Sequence, residues 1–171
     1  MIVVMAGLPG AGKTTIARAL SDRLPAAVLN KDSIRHALFI DRDVEYSREQ
    51  DDFVMDLMLQ TAQFFWLRDP SRIVILDGRP FSRRAQVDRV VHFAEGSQQP
   101  WRILECICSE QTARRRLQSD VATGVHPAGN RNLQLYLEVK ARFEPIIRPK
   151  NIIDTDQPLD VCVNLAINAL Q

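Results

Sequence analysis

The chain has 171 residues, 46% of them hydrophobic and 25% charged, with 22 basic against 21 acidic side chains for a net charge of +1. That is the make-up of one globular core, and its even charge supplies no global field for a polynucleotide or an anionic membrane surface. No apolar run approaches the ~20 residues of a membrane span and the N-terminus reads as no secretory leader, so a single cytoplasmic domain over residues 1–171 is expected, with no membrane partner.

Ile2-Val3-Val4-Met5-Ala6 reads as a short buried strand that runs directly into Gly7-Leu8-Pro9-Gly10-Ala11-Gly12-Lys13-Thr14, a complete G-x-x-x-x-G-K-[ST] loop. The motif needs a strand behind it and a helix ahead, so that backbone N–H groups and the helix N-terminus converge on nucleotide phosphates. Gly7, Gly10 and Gly12 remove the Cβ atoms that would hold the backbone off a pyrophosphate. Lys13, its head open to solvent, supplies charge to the β- and γ-phosphates, and the Thr14 hydroxyl can ligate Mg²⁺. Gly7, Leu8, Pro9, Gly10, Ala11, Gly12, Lys13, Thr14 and Thr15 are therefore the expected nucleotide-binding segment, with ATP and Mg²⁺ as the implied cofactors.

Ile16, Ala17 and Leu20 place a helix over 15–24, ended by Pro25. Ala26-Ala27-Val28-Leu29 is a second strand, and Asn30-Lys31-Asp32 leads into a short helix through Ile34, Leu38 and Phe39. Ser47 with Gln50 resembles a capping box opening a long helix to about Leu67. Its ridges Phe53/Leu57/Phe64 and Met58/Ala62/Phe65 are read as core. Ile73-Val74-Ile75-Leu76-Asp77 is apolar until its last residue, as a central parallel strand covered on both faces would be. A helix over 83–94 and a strand over 102–108 follow. Cys106 and Cys108 share a face of that strand and, like Cys162, are read as buried thiols; they lack the turn that wraps zinc. A helix over 110–119, a polar loop over 124–130, a helix over 133–144, a strand over 151–154 and a helix over 159–170 complete the chain. About five strands interleaved with helices predict a three-layer α/β/α P-loop NTPase sandwich with a mainly parallel sheet. In such sheets the site lies outside the carboxyl ends of the strands, where the loop, Asp32 and Asp77 all fall.

Asp77 fits a Mg²⁺-orienting carboxylate, but Gly78 stands where many ATPases carry a water-polarising glutamate, which disfavours a motor. Asn30-Lys31-Asp32-Ser33 differs from the guanine-reading N-K-x-D because its aspartate comes one residue early. A kinase needs a carboxylate beside the acceptor hydroxyl, a role Asp32 suits, and Arg35 one turn later can hold an anionic acceptor group or the moving phosphoryl. The competing reading of the pair is a helix cap beside a solvated arginine. A basic lid over about 110–132 would bring further arginines. Arg116 and Arg131 are the candidates, with Lys140 and Arg142 as further cations. Ala113 and Leu117 mark the buried side of that helix and leave Arg115 solvated. His126 is read as a loop residue and not a catalyst, and His36 and His92 lie in helices without a metal-ligand partner at useful spacing.

Gly7–Thr15, Asn30-Lys31-Asp32-Ser33-Ile34-Arg35, Leu76-Asp77, Arg142-Phe143-Glu144-Pro145 and Ile153-Asp154-Thr155 together resemble the P-loop kinases of the AAA-ATP-binding-like group. That group is similar to the kinase domain of phage polynucleotide 5′-hydroxyl kinases and, more distantly, to zeta-toxin, chloramphenicol phosphotransferase and gluconate kinase. The resemblance implies Asp32 as general base, Arg35 as an acceptor or phosphate contact, and Asp77 near metal and acceptor. Related sequences carry a second lid arginine four residues after the one matching Arg116, where this chain has Asp120. The expectation is an ATP-dependent phosphotransferase acting on a small-molecule hydroxyl. The alternatives are a polynucleotide 5′-hydroxyl kinase, which the neutral charge disfavours, and a nucleotide-binding regulatory module without transfer.

Overall fold

The computed structural model describes residues 1–123 and 132–171, with side chains outside 121–131. Among these residues are strands β1 (Ile2–Ala6), β2 (Ala26–Asn30), β3 (Ile73–Asp77), β4 (Trp101–Ile107) and β5 (Asn151–Asp154), paired in the order β2-β3-β1-β4-β5. Every pairing is parallel, with Val4 opposite both Leu76 of β3 and Ile103 of β4. The helices are α1 (Lys13–Arg23), α2 (Lys31–Leu38), α3 (Arg48–Trp66), α4 (Arg84–Gly96), α5 (Glu110–Thr123), α6 (Leu133–Ala141) and α7 (Leu159–Asn168).

β1 lies at the middle of the sheet, and each of its five residues is fully buried. Side chains alternate across a strand, so its uniformly apolar sequence feeds two separate cores. Ile2, Val4 and Ala6 join Val54, Met58, Val87 and Val91 under α3 and α4. Val3 and Met5 join Ile16, Leu20, Val163 and Ala166 under α1 and α7. These two cores make the three-layer α/β/α sandwich. A fully buried aliphatic side chain is worth about 1.5–3 kcal/mol. The phosphate loop therefore departs from the most firmly held strand, and β2 and β3 end beside it with Asn30 opposite Asp77.

Some local expectations are corrected. α3 buries Val54, Met55, Met58, Leu59, Ala62 and Trp66, whereas Phe53 and Phe64 are about half exposed. The sheet takes up one stripe of the helix, and those two aromatics fall at its margins. Phe53 packs edge-on against Phe39 at 6.1 Å and Phe64 lies beneath the Arg68 guanidinium. Only half of the capping box forms. Ser47 accepts from the Gln50 N–H at 3.2 Å, while the Gln50 amide turns to the Glu45 N–H and the Asp43 carbonyl. β4 ends at Ile107, so Cys108 is only partly buried, unlike Cys106 and Cys162. β3, expected as a central strand covered on both faces, is interior to the sheet and buried from Val74 to Asp77. No helix among the described residues is long and apolar enough to cross a membrane.

Candidate active site

The loop after β1 is held from both sides. Gly7 adopts φ 131°, and a Cβ on it would stand 2.2 Å from the Cys106 carbonyl oxygen, so only glycine lets the chain turn against β4. Its N–H donates to the Pro80 carbonyl at 3.0 Å, which ties the loop to the segment leaving β3. α1 begins at Lys13 itself, placing its N-terminus against the loop as anion binding requires. The Lys13 head is not open to solvent. It is 8% exposed and donates to the Gly7 and Leu8 carbonyls, both at 2.8 Å, because an ammonium carries three donors and finds acceptors within its own loop.

Asp77, at the end of β3, is fully buried. Its Oδ2 accepts from the Asn30 amide at 2.7 Å, and its Oδ1 is buried without a hydrogen-bond partner. A buried carboxylate oxygen left in that condition is costly, and a cation would satisfy it. Thr14 lines the cavity beside the loop, and Asp77 and Thr14 are the hard-oxygen donors that could hold Mg²⁺. No group of three or more His, Cys, Asp or Glu capable of holding a metal occurs among the described residues. A Mg²⁺ ion would thus draw its remaining ligands from phosphate and water, as this ion commonly does.

The competing cap reading of Asp32 is excluded by geometry, because Asn30 caps α2 by accepting from the Ser33 N–H at 2.9 Å. Asp32 instead receives Arg35 Nη1 at 3.1 Å and lies 3.6 Å from Lys31 Nζ. Arg35 is not solvated: it is fully buried, also bonds Asp51 of α3, and stacks over Tyr46 at 5.3 Å. Lys31 donates to the same Asp51 oxygen at 2.6 Å. The result is a neutral cluster of two cations and two carboxylates bridging α2 and α3. Gly78 serves this approach. Its φ is 88° and a Cβ there would stand 2.9 Å from the Lys31 nitrogen, which accounts for glycine in place of a glutamate. Arg79, next in sequence, is 3% exposed and donates to Asp52 of α3 at 2.8 Å. Burial pushes the Asp52 carboxyl up, but the hydrogen bond and charge of Arg79, with Arg89 and Arg48, hold it below the usual carboxylate range.

Arg116 lies beside the loop, with Ala113 and Leu117 buried behind it and Arg115 exposed as expected. Its guanidinium donates to the Gly10 carbonyl at 3.2 Å, the Thr155 hydroxyl at 2.9 Å and the Thr155 carbonyl at 2.8 Å. Lys140 is drawn away to Glu110 at 2.6 Å, which also takes Arg114. Arg131, and with it part of the 110–132 stretch, lies outside the described residues. Gly12, Thr14, Arg18, Arg116, Thr155 and Gln157 are among the residues around a cavity of about 440 Å³, within the size range of small-ligand sites. Asp120 lines the same cavity where relatives were expected to carry arginine. Sequence reasoning missed Lys31, Asp51, Arg79 and Thr155 as parts of the site. Arg79 follows the strand-end acid by two residues, and Lys31 and Thr155 fall within segments that carry the family resemblance, whereas Asp51 carried no local signal.

The chain matches the family model described as AAA domain over residues 2–146. A search of curated proteins finds no match. Among solved structures, a candidate kinase from Chloroflexus aurantiacus superimposes with a TM-score of 0.76 at 21% identity, over 99% of this chain and 98% of that one. The APS kinase CysC of Mycobacterium tuberculosis, in complex with AMPPNP and APS, gives 0.67 at 19% identity, over 99% and 96%. Kti12 of Chaetomium thermophilum, in complex with ADP-AlF3, gives 0.66 at 16% identity, over 100% of each chain. Likeness at this identity establishes the fold. On the family match, the chain belongs to the AAA domain family, and its fold is the α/β/α sandwich of P-loop NTPases.

Proposed function

We propose that the protein is an ATP-dependent, Mg²⁺-requiring phosphotransferase that moves the γ-phosphoryl group to a hydroxyl of a small-molecule acceptor, with residues 1–171 acting as one domain. The observation that carries this reading is the pair of acids at the carboxyl ends of β3 and β2, each in a different setting: Asp77 with one buried oxygen unpartnered, and Asp32, in the first turn of α2, held by Arg35. Lys13 would leave its loop carbonyls for the β- and γ-phosphates, and Asp77 with Thr14 would hold the metal, which supplies charge neutralisation when bound. Asp32 would accept or orient the acceptor's hydroxyl proton. Arg35, having no exposed surface, would act by fixing the Asp32 carboxylate and not by touching the acceptor. Arg116, with Arg131 as the second candidate, would stabilise the nucleotide side. The APS kinase likeness supports a small acceptor, since that protein was seen with both AMPPNP and APS.

A second reading is a nucleotide-binding regulatory module without transfer; the likeness to Kti12, seen with ADP-AlF3, supports its nucleotide binding. Incubation with γ-labelled ATP and a fractionated metabolite pool separates the possibilities. A labelled small product supports transfer to a metabolite. Label on single-stranded oligonucleotide, steeply lost as salt rises, would replace it with the polynucleotide alternative. Tight ATP binding with no label in any fraction would favour the module.

A further inference from the structure

Two carbonyls of the loop after β1 converge on the residue that follows β5 and the arginine bound to it. Thr155, the residue after β5, is 7% exposed, and its N–H donates to the Ile107 carbonyl at 2.8 Å, fixing it to the end of β4. Its Oγ1 lies 3.1 Å from the Ala11 carbonyl oxygen and 3.1 Å from that of Ile107, either of which can take its single proton. The same oxygen accepts Arg116 Nη1 at 2.9 Å, while the Thr155 carbonyl accepts Nη2 at 2.8 Å. Arg116 Nη1 also reaches the Gly10 carbonyl at 3.2 Å. The Thr155 side chain fills the space beside Gly12, where a Cβ would meet three of its atoms at 3.3 Å. Two successive loop carbonyls, of Gly10 and Ala11, are thus gripped by a threonine and an arginine from distant parts of the chain.

A peptide unit is planar, and its C=O and N–H point in opposite directions. Gripping the Gly10 and Ala11 oxygens therefore aims the N–H groups of Ala11 and Gly12 the other way, toward the loop interior where phosphate oxygens bind. The Ala11 N–H already points inward, donating to the Leu8 carbonyl at 3.2 Å. We propose that Thr155 is a positioning residue for nucleotide binding: together with Arg116 it fixes the two peptide units that present backbone donors to the phosphates. The inference rests on the loop being a nucleotide site and is independent of any transfer step. It gives Arg116 a role on the loop carbonyls in addition to its place at the cavity.

The test is the affinity of the full chain for ADP, measured by calorimetry without acceptor, for wild type, Thr155→Val and Thr155→Ser. The valine keeps the shape and loses the hydroxyl, so ADP should bind about tenfold more weakly, while serine should restore affinity to within about threefold, in line with loss or retention of a charge-assisted hydrogen bond. Thr155→Val binding ADP as tightly as wild type would overturn the proposal. So would serine as weak as valine, because packing and not the hydroxyl would then be at work. Should Thr155→Val fail to fold, Arg116→Gln carries the comparison: it should weaken ADP binding by a similar factor, and unchanged affinity would overturn the clamp. Failure of the wild-type protein to bind ADP would overturn the nucleotide site and this inference with it, whereas ADP binding without transfer would overturn only the kinase reading.

Discussion

Asp77 ends β3 and Asp32 lies in the first turn of α2, just past the neighbouring strand β2, yet their surroundings divide them. Asp77 is fully buried with one oxygen unpartnered, and Asp32 is held by a guanidinium. Asp32→Asn should therefore leave Mg·ATP affinity near wild type and lower kcat by about 10²–10⁴-fold, the range of a lost general base. Asp77→Asn should show its deficit as a raised Mg²⁺ requirement. Steady-state kinetics across a Mg²⁺ series reads both, and the reverse pattern at saturating Mg²⁺ would exchange the two roles. Cys106 makes a different prediction. Burial pushes its thiol up to about 12, against the pull of the Lys13 charge. The unfolded thiol titrates near about 8.5, so above that pH the unfolded chain releases a proton that the folded chain keeps. The raised pKa therefore adds stability that is fully present below about pH 8.5 and is lost as pH rises toward 12. Urea unfolding from pH 8 to 11 should show this fall, and Cys106→Ala should flatten it by up to about 1.4 kcal/mol per pH unit.

At the scale of elements, the short helix α2 owes its position to charge more than to apolar area. Of its eight residues, the buried ones are Lys31, Asp32 and Arg35. The cluster with Asp51 fastens it to α3, and removing one member of such a buried set strands the others at a cost of about 3–5 kcal/mol. Arg35→Ala should lower stability by that order in urea unfolding, far more than the exposed Arg115→Ala, which should stay within about 0.5 kcal/mol of wild type. On activity the contrast falls between α5 neighbours. Arg116→Ala should lower kcat/KM by about 10²-fold and Arg115→Ala should not change it. Equal small effects would reduce both to a solvated basic face. This cluster also marks where sequence reading stopped. Arg35 and Asp32 lie one turn apart and could be paired on paper, but Asp51 is 16 residues beyond Arg35 on another helix. Only the packing of α2 on α3 brings it there, and no local pattern records that.

Across the whole molecule, what was legible followed from period and punctuation. The apolar runs of β1 and β3 announced strands buried on both faces, the glycines and Lys13 announced the loop, and alternation with helices implied a parallel sheet whose strand ends gather the polar residues. The lateral order β2-β3-β1-β4-β5 was not legible, because parallel strands of similar apolar content carry no code for their neighbours. The margins of α3 were misjudged for a related reason: Phe53 and Phe64 are as apolar as the core residues beside them, and their half exposure follows from which stripe of the helix is buried. Thr155 escaped notice as part of the site because its partners belong to the loop after β1, the end of β4 and the helix α5. The central claim is that these separate segments assemble one phosphoryl-transfer crevice, and ADP release from Mg·ATP with and without a metabolite pool tests it most directly. The account predicts release that depends on the pool and falls at least about 10³-fold in Lys13→Ala, while that variant keeps the wild-type circular dichroism spectrum. Release that is the same with and without the pool, or that persists at the wild-type rate in Lys13→Ala, would contradict it.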